Sequence, residues 1–473
     1  MSFTKRDLVT VSDLSNEEIE AIFATAEDII QAPRDFSSLC SGLIMATLFY
    51  EPSTRTRLSF ETAMLRLGGH VISCADMKTS SYVKGESLAD TARVVGSYAD
   101  LIVIRHPWEG AARVAAQYAG VPVINAGDGG HEHPTQTLCD LFTLTKEKHK
   151  LKGLCVALWG DLKYGRTIHS LAYGLARFGA NIICLPAEGM EMPEYVSRKL
   201  QEEYKCGLLA GEATDIAQVM EQVDAVYLNP ATPRQLTLLS PDGEPANNVL
   251  SAKRRQRVRI DALYMTRLQK EKRIDAEAGT DDGRRYPVLN AELLKRAKLR
   301  RTVLMHPLPR VDELPYEVDD DPRSIYFKQA AWGVPVRMAL VALLLGAKES
   351  PISKRKSGDG TGPKHPTYKR EYGVRCLNPS CISLNEPKYI VPEFEIVSTD
   401  PLRLRCVYCE QEKHPPYVAS TKWHQSTIDN RKYHSSDSSL AKQIKPENLI
   451  IFDSEDEAKA HGFMPSHYAG EKA

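Results

Sequence analysis

The sequence predicts an α/β protein with two doubly wound parallel-sheet domains joined by helices, followed by a small β-rich domain. Apolar runs of strand length alternate with helical patterns from residue 42 to residue 345, which is typical of parallel sheets. Four of the ten cysteines cluster after residue 375, beyond a stretch with the composition of a flexible linker. The length of 473 residues is sufficient for about three domains.

Residues 1–149 are predicted to form the first domain, which a late apolar helix at residues 328–347 completes. Ser15 and Glu18 form a capping box in front of apolar residues at helical spacing, so the chain begins with an amphipathic helix. Helices are also expected between the strands and after the last strand. Short apolar runs predict the strands of this domain at residues 42–50, 70–74, 101–104 and 121–126.

The strongest local signal is the anion-binding chemistry of residues 49–60. Pro52 turns the chain, and Ser53 or Thr54 can cap the helix that follows. Free backbone N–H groups, hydroxyls and the guanidiniums of Arg55 and Arg57 then point to one spot, which predicts a phosphate site. An ordinary capped surface helix would have the same pattern, so this motif alone leaves both interpretations open.

Residues 150–327 are predicted to form the second domain. A glycine-bearing turn at residues 160–166 joins its first strand to a helix. Dinucleotide binding is disfavoured because the sequence contains no G-x-G-x-x-G motif. The predicted strands of this domain are residues 154–159, 181–185, 225–228, 262–265 and 303–305.

The four clustered cysteines predict a metal site. Cys376 and Cys381 form one close pair, and Cys406 and Cys409 form a second pair after 24 intervening residues. The two cysteines of each pair can bind one metal ion from a single turn of the chain. The spacing therefore predicts a structural, tetrahedral zinc site with four thiolate ligands. Four unligated thiols are the alternative, and His414 could replace one ligand. The C-terminal part is therefore divided into a linker at residues 348–368, a zinc-binding domain at residues 369–420 and an accessory tail at residues 421–473.

The composition limits the partners and the compartment. Sixty-one basic residues balance sixty-one acidic residues, so no global charge attracts nucleic acid or an anionic membrane. The apolar run at residues 339–345 is too short for a membrane span, which requires roughly 20 residues. The N-terminus has no apolar signal region, and the scattered single cysteines are typical of a reducing compartment. We expect a cytoplasmic protein without a nucleic-acid or membrane partner.

Seven motifs are spread over residues 1–347. They are Ser53-Thr54-Arg55-Thr56-Arg57, Thr79-Ser80 through Lys84-Gly85-Glu86, Arg105-His106-Pro107, His133-Pro134-Thr135-Gln136, Gly160-Asp161-Leu162-Lys163-Tyr164-Gly165-Arg166-Thr167, Met265-Thr266-Arg267-Leu268-Gln269-Lys270-Glu271 and His306-Pro307-Leu308-Pro309-Arg310. Together these motifs resemble the aspartate/ornithine carbamoyltransferase family. The ornithine-specific relatives usually show His-Cys-Leu-Pro where this chain has His306-Pro307-Leu308-Pro309, so the resemblance is to the aspartate-specific branch. Residues 376–412 resemble the zinc domain of the aspartate carbamoyltransferase regulatory chain.

The resemblance implies transfer of the carbamoyl group of carbamoyl phosphate to L-aspartate, a step of pyrimidine biosynthesis that needs no catalytic cofactor. It implies four catalytic residues: Arg55 stabilises charge on the leaving phosphate, and Thr56, Arg105 and His133 hydrogen-bond the carbonyl oxygen. The implied carbamoyl-phosphate ligands are Ser53, Thr54, Arg55, Thr56, Arg105, His133 and Gln136, with Ser80 and Lys84 contributed by a neighbouring subunit. The implied aspartate ligands are Lys84, Arg166, Arg267, Gln269, Pro307 and Leu308.

A loop shared between subunits implies a homotrimer with shared active sites, and higher assembly stays open. Compared with family members, about residues 228–261 look like an insertion, whose basic stretch is interpreted as a solvated loop in preference to a partner-binding arm. Two alternatives remain: a transcarbamylase that uses another amine, and a non-catalytic interaction protein that depends on zinc. Assays with aspartate and ornithine would distinguish the first, and binding of carbamoyl phosphate would distinguish the second.

Overall fold

A computed structural model describes most of the chain. Ser80, Gln269, most of the expected insertion and most of the linker lie outside the described residues. The described residues are 6–74, 84–148, 151–187, 189–210, 223–229, 261–267, 289–295, 299–311, 313–349, 365–369, 374–422 and 431–466.

The first sheet has four parallel strands in the order β2-β1-β3-β4. Its central strand β3 is buried along its whole length, because helices cover both faces of the sheet. The four predicted strands are confirmed, with bounds within two residues of those expected. The strands are β1 (Ile44–Phe49), β2 (His70–Cys74), β3 (Leu101–His106) and β4 (Val123–Asp128), and the helices are α1 (Asn16–Gln31), α2 (Thr54–Arg66), α3 (Leu88–Gly96), α4 (Ala111–Ala119) and α5 (Pro134–Lys148).

The predicted cap of the first helix is also confirmed. Ser15 Oγ accepts from Glu18 N at 3.2 Å, and Ser15 N donates to Glu18 Oε2 at 2.7 Å. This reciprocal pair satisfies backbone donors that the first turn of α1 cannot satisfy internally.

The second sheet has six parallel strands in the order β10-β9-β8-β5-β6-β7. The five strands predicted from the sequence are confirmed. Strand β7, a three-residue strand at the opposite edge of the sheet from β10, was not predicted. The elements are β5 (Cys155–Gly160), α6 (Arg166–Arg177), β6 (Asn181–Pro186), α7 (Glu194–Glu202), β7 (Leu208–Ala210), β8 (Ala225–Asn229), β9 (Ala262–Met265), α8 (Ala291–Leu294) and β10 (Val303–Met305).

Helix α9 (Tyr326–Leu344) returns the chain from the second sheet to the first. It packs against α1, α2 and α5. Its residues 338–344 are all buried, which explains why the sequence is apolar on every face there. Among the described residues, none of the helices combines the length and apolarity that a bilayer span requires.

The C-terminal part forms two antiparallel-based sheets of four strands, in the orders β11-β12-β13-β14 and β17-β15-β16-β18. Strand β15, which the sequence division assigned to the zinc-binding region, pairs with β16 and β17 of the tail. The elements are β11 (Thr367–Tyr368), α10 (Ile382–Asn385), β12 (Phe394–Thr399), β13 (Leu402–Cys406), β14 (Glu412–Lys413), β15 (Tyr417–Ser420), β16 (Lys432–Ser435), β17 (Leu449–Phe452), α11 (Glu455–Ala460) and β18 (Met464–Pro465).

Candidate active site and metal centre

A cleft of about 560 Å³ lies between the two parallel sheets. The cleft is lined by segments at the carboxyl ends of β1, β3, β4, β5, β9 and β10. This end of the strands is where ligands bind in open α/β sheets. Of the proposed substrate ligands, the cleft is lined by Ser53, Thr54, Arg55, Thr56, Arg105, His133, Gln136, Arg166, Arg267, Pro307 and Leu308. Lys84 is exposed and is not part of this lining.

The start of α2 forms one end of the cleft. Ser53 occupies the N-cap position, and its hydroxyl donates to Thr56 Oγ1 at 3.0 Å. Within the described part of the chain this hydroxyl accepts no capping bond from the helix backbone, and Thr54 is the first helical residue, so the expected cap by Ser53 or Thr54 is wrong. The first N–H groups of α2 therefore remain available to an anion, and the helix dipole favours its negative charge.

Glu51 joins the two buried arginines of the cleft. Arg105 Nη2 donates to Glu51 Oε1 at 2.6 Å, and Arg166 Nη2 donates to the same oxygen at 3.0 Å. Arg166 also donates from Nη1 to Glu51 Oε2 at 3.2 Å. Burial and the charge of Arg166 lower the pKa of Arg105 to about 10, although Glu51 opposes this shift. A single carboxylate thus balances two guanidiniums.

The remaining cations make the cleft more positive. Burial, and then repulsion from Arg267, lowers the pKa of the Arg55 guanidinium below its ordinary value. Arg337 of α9 adds a further guanidinium to the lining, where its Nη1 donates to Ser59 Oγ at 2.9 Å. The sequence analysis missed Glu51 and Arg337. A charged residue within the apolar pattern of α9 was the available signal for Arg337.

The turn at Pro307 and Leu308 is held by a buried histidine. His306 Nε2 lies 2.9 Å from Glu313 Oε1, and Leu308 N donates to His306 Nδ1 at 2.8 Å. Burial lowers the pKa of His306, so the neutral ring can donate to Glu313 and accept from Leu308. Leu308 has a φ of 54°, a left-handed conformation that the surrounding bonds must hold in place.

His133 is 4% exposed and lies beside Gly127. Gly127 has a φ of 111°, and a Cβ there would lie 3.3 Å from both Arg105 Nη1 and His133 Cδ2. The glycine therefore permits a close approach between the carboxyl end of β4 and two of the proposed ligands.

The four clustered cysteines are all buried and bring their sulfur atoms within 4.8 Å of one another. Cys376 Sγ lies 3.5 Å from Cys409 Sγ, and Cys381 Sγ lies 3.8 Å from Cys406 Sγ. The edge of a Zn–S₄ tetrahedron is roughly 3.8 Å, so the set fits zinc. Hydrogen bonding to Cys376 raises the pKa of Cys406 and of Cys409, since these crowded sulfurs do not ionise together without a cation. The predicted structural zinc site is confirmed.

The zinc-binding unit contacts the first sheet's domain directly. Glu109 N donates to Ser380 O and Ile382 N donates to Glu109 O, both at 2.9 Å. A Cβ at Gly110 would lie 2.5 Å from the Cβ of Tyr408, so only glycine fits between the two units there.

The same unit is joined to α7 of the second domain by ion pairs. Arg198 Nη1 lies 2.9 Å from Glu412 Oε2, and Arg405 Nη1 donates to Glu203 Oε1 at 2.9 Å. Lys199 pairs with Glu410 in a buried position. The zinc-binding unit therefore bridges both parallel-sheet domains of its own chain.

His131, Glu132 and Glu410 also bring ligand atoms within 4.8 Å of one another. Burial alone would lower the pKa of His131, but Asp128 and the two glutamates outweigh burial and raise it to about 10. A protonated ring cannot ligate a metal, and Lys199 already pairs with Glu410. These groups therefore fit an ion-pair cluster and not a second metal centre.

Comparison with known proteins identifies three family segments. Residues 6–147 match the carbamoyl-P binding domain of aspartate/ornithine carbamoyltransferase, and residues 248–344 match its Asp/Orn binding domain. Residues 371–415 match the metal binding domain of the aspartate carbamoyltransferase regulatory chain. These matches include the first lobe of the cleft, the later part of the second lobe and the four cysteines.

Individual relatives agree with the family models. The aspartate carbamoyltransferase catalytic subunit of Clostridium acetobutylicum is 44% identical over 346 residues, covering 72% of this chain and 98% of the relative. The catalytic subunit of M. jannaschii aspartate transcarbamoylase, whose crystal structure is known, is 40% identical in sequence. The structural match covers 72% of this chain and 98% of the M. jannaschii chain, with a TM-score of 0.56. The Trypanosoma cruzi enzyme in complex with N-(phosphonacetyl)-L-aspartic acid is 34% identical, with coverage of 72% and 97% and a TM-score of 0.59.

Proposed function

The chain belongs to the aspartate/ornithine carbamoyltransferase family, and on this premise we propose that its cleft transfers the carbamoyl group of carbamoyl phosphate to L-aspartate. The products are N-carbamoyl-L-aspartate and phosphate, in pyrimidine biosynthesis. The main support for this proposal is that one cleft is lined by Arg55, Arg105, Arg166, Arg267 and His133. Two anionic substrates require such a concentration of fixed positive charge.

The start of α2 is proposed to hold the phosphate. The hydroxyls of Ser53, Thr54 and Thr56 and the free N–H groups of the first turn would donate to its oxygens. Arg55 would stabilise the charge that develops on the leaving phosphate.

Arg105, His133 and Thr56 are proposed to donate to the carbonyl oxygen as the amine attacks. Their donors would act where negative charge develops in the transition state. Gln136 would orient the carbamoyl amide, and the fixed position of its side chain supports this role.

Arg166 and Arg267, with Gln269, are proposed to bind the two carboxylates of aspartate, because a planar guanidinium pairs with a carboxylate through two bonds. The backbone of Pro307 and Leu308 would face the amino groups. Glu51 forms an ion pair with Arg166 in this structure, so a carboxylate of aspartate must replace Glu51 as the partner of that guanidinium.

The attack needs no covalent intermediate. The neutral α-amino nitrogen of aspartate forms the new N–C bond, the C–O bond to phosphate breaks with its electron pair going to phosphate, and one amine proton passes to the leaving phosphate. Most of the rate would come from holding two substrates in register.

We further propose a homotrimer in which Ser80 and Lys84 complete the site of a neighbouring subunit. The exposure of Lys84 outside its own cleft is consistent with this role. Mixed trimers of Lys84→Ala and Arg55→Ala chains should recover activity through hybrid sites. Verified subunit exchange without recovery would refute shared sites. A cytoplasmic location is part of the same proposal.

The activity is tested by measuring N-carbamoyl-L-aspartate formed from carbamoyl phosphate, with ornithine as the matched alternative amine. Turnover with aspartate and not with ornithine supports the assignment. Turnover with ornithine alone would favour another transcarbamylase. Binding of neither carbamoyl phosphate nor a bisubstrate phosphonate would favour the non-catalytic alternative.

A further inference from the structure

Asp140 is a fully buried carboxylate on α5, one turn after Gln136. Its Oδ1 accepts from Gln136 Nε2 and from Gln329 Nε2, both at 2.9 Å. The hydroxyl of Tyr264 lies 3.0 Å from each of its two oxygens. Burying a carboxylate costs free energy unless hydrogen-bond donors surround it. These bonds therefore fix the side chains of Asp140 and its three donors relative to one another.

Each of the three donors belongs to a different segment of the cleft. Gln136 itself lines the cleft. Gln329 lies on α9, and its Oε1 accepts from His306 N at 3.1 Å, at the start of the turn that contains Pro307 and Leu308. Tyr264 lies on β9, three residues before Arg267. One carboxylate therefore connects the carbamoyl side of the cleft to both aspartate-binding segments.

We propose that Asp140 is a positioning residue that fixes the carbamoyl-binding side chain Gln136 relative to the two aspartate-binding segments. This inference rests on the proposed function. Asp140 touches neither substrate; it acts through its three donors. Two substrates react only when their atoms are in register, and a displacement of about 1 Å can cost about 10²-fold in rate.

The ionised form of Asp140 is the one that can accept from all three donors. A protonated carboxyl must use one oxygen as a donor, so the bond with the Tyr264 hydroxyl reverses its direction, while the other oxygen can still accept from both glutamines. The titratable and charged groups that face it are Arg337 on α9, Tyr227 on β8, Tyr264 on β9 and Cys139 on its own helix. Burial raises the pKa of Asp140 to about 7, against the lowering effect of the hydrogen bonds and of Arg337. The connection to Tyr264 on β9 should therefore weaken as the pH falls through this range, while both glutamine bonds remain.

The test measures kcat and both KM values for Asp140→Ala, with Thr143→Ala as the matched control. Thr143 is also fully buried on α5, and its hydroxyl donates to Cys139 O at 2.8 Å without reaching the cleft lining. We expect kcat/KM to fall about 100-fold for Asp140→Ala, by the same displacement argument, and to change less than about twofold for the control.

Asp140→Asn should restore much of the loss, because its amide oxygen can still accept from both glutamines while its nitrogen donates to the Tyr264 hydroxyl. The pH profile of kcat/KM for Asp140→Asn should lack the ionisation near pH 7 that the wild-type profile shows. Tyr264→Phe should raise the KM for aspartate and leave the KM for carbamoyl phosphate unchanged, since only the β9 connection is lost.

Equal kinetics for Asp140→Ala and Thr143→Ala would overturn the inference. Should Asp140→Ala fail to fold, a wild-type pH profile for Asp140→Asn together with an unchanged aspartate KM for Tyr264→Phe would overturn it. A wild-type chain that makes no N-carbamoyl-L-aspartate would instead count against the proposed function.

Discussion

Replacing Glu51 with Gln removes the only carboxylate that the described residues place between Arg105 and Arg166, while it keeps the shape of the side chain. Arg105 and Arg166 are 8% and 7% exposed, so their charges lose a counter-ion in a poorly hydrated place. Breaking a buried pair costs about 3–5 kcal/mol. Because the Glu51 side chain is 27% exposed in the cleft, we reduce this to about 2 kcal/mol.

Thermal unfolding with and without phosphate measures the effect. A loss of about 2 kcal/mol should lower the Tm by roughly 4–8 °C for domains of this size. Phosphate should raise the Tm of Glu51→Gln more than that of the wild type, because the anion supplies the missing charge and binds the native state more tightly.

Glu27→Gln is the matched control. Glu27 Oε2 lies 2.6 Å from Lys146 Nζ, but the two side chains are 32% and 30% exposed, so the change should cost less than about 1 kcal/mol. The reasoning is refuted if Glu51→Gln unfolds at the wild-type temperature, or if phosphate stabilises it no more than the wild type.

Three further outcomes are expected. Arg55→Ala should lower kcat by about 10²–10³-fold or more in the carbamoyl-transfer assay, as loss of one transition-state donor does, and a smaller effect would remove Arg55 from the chemistry. Cys406→Ser should reduce bound zinc from one per chain to less than one by elemental analysis and expose the C-terminal unit to proteolysis; full zinc retention would contradict the ligand set. Lys199→Met leaves the largely buried Glu410 without its ammonium partner and should cost about 3 kcal/mol of unfolding free energy, whereas Lys146→Met at the more exposed pair with Glu27 should cost less than about 1 kcal/mol.

Local patterns were sufficient for most strands and helices and for the cysteine cluster. The strands at residues 44–49 and 101–106 follow from apolar runs, and α1 follows from its capping box, because each of these signals lies within one segment. The metal ligands follow equally from the close spacing within each cysteine pair. The proposed substrate-binding motifs, such as residues 53–57, were found through family resemblance, since their local chemistry also suits an ordinary capped helix.

Contacts between distant segments could not be predicted from local sequence patterns. The partners Glu51 and Arg166 are 115 positions apart, and Asp140 and Gln329 are 189 positions apart. The bonds from Ser380 and Ile382 to Glu109 likewise join the zinc-binding unit to a domain far away in the chain. None of these pairs leaves a periodic or spacing signal.

The sequence by itself determined which segments become strands and helices and which cysteines cluster as ligands for zinc, because these depend on neighbours along the chain. Only the tertiary structure decided that Glu51 balances two guanidiniums, that Asp140 connects both sides of the cleft, and that the zinc-binding unit bridges its own two domains. The physical reason is that the order of strands in a sheet, and the packing of α9 across it, bring together charges whose separation along the chain carries no information about their separation in space.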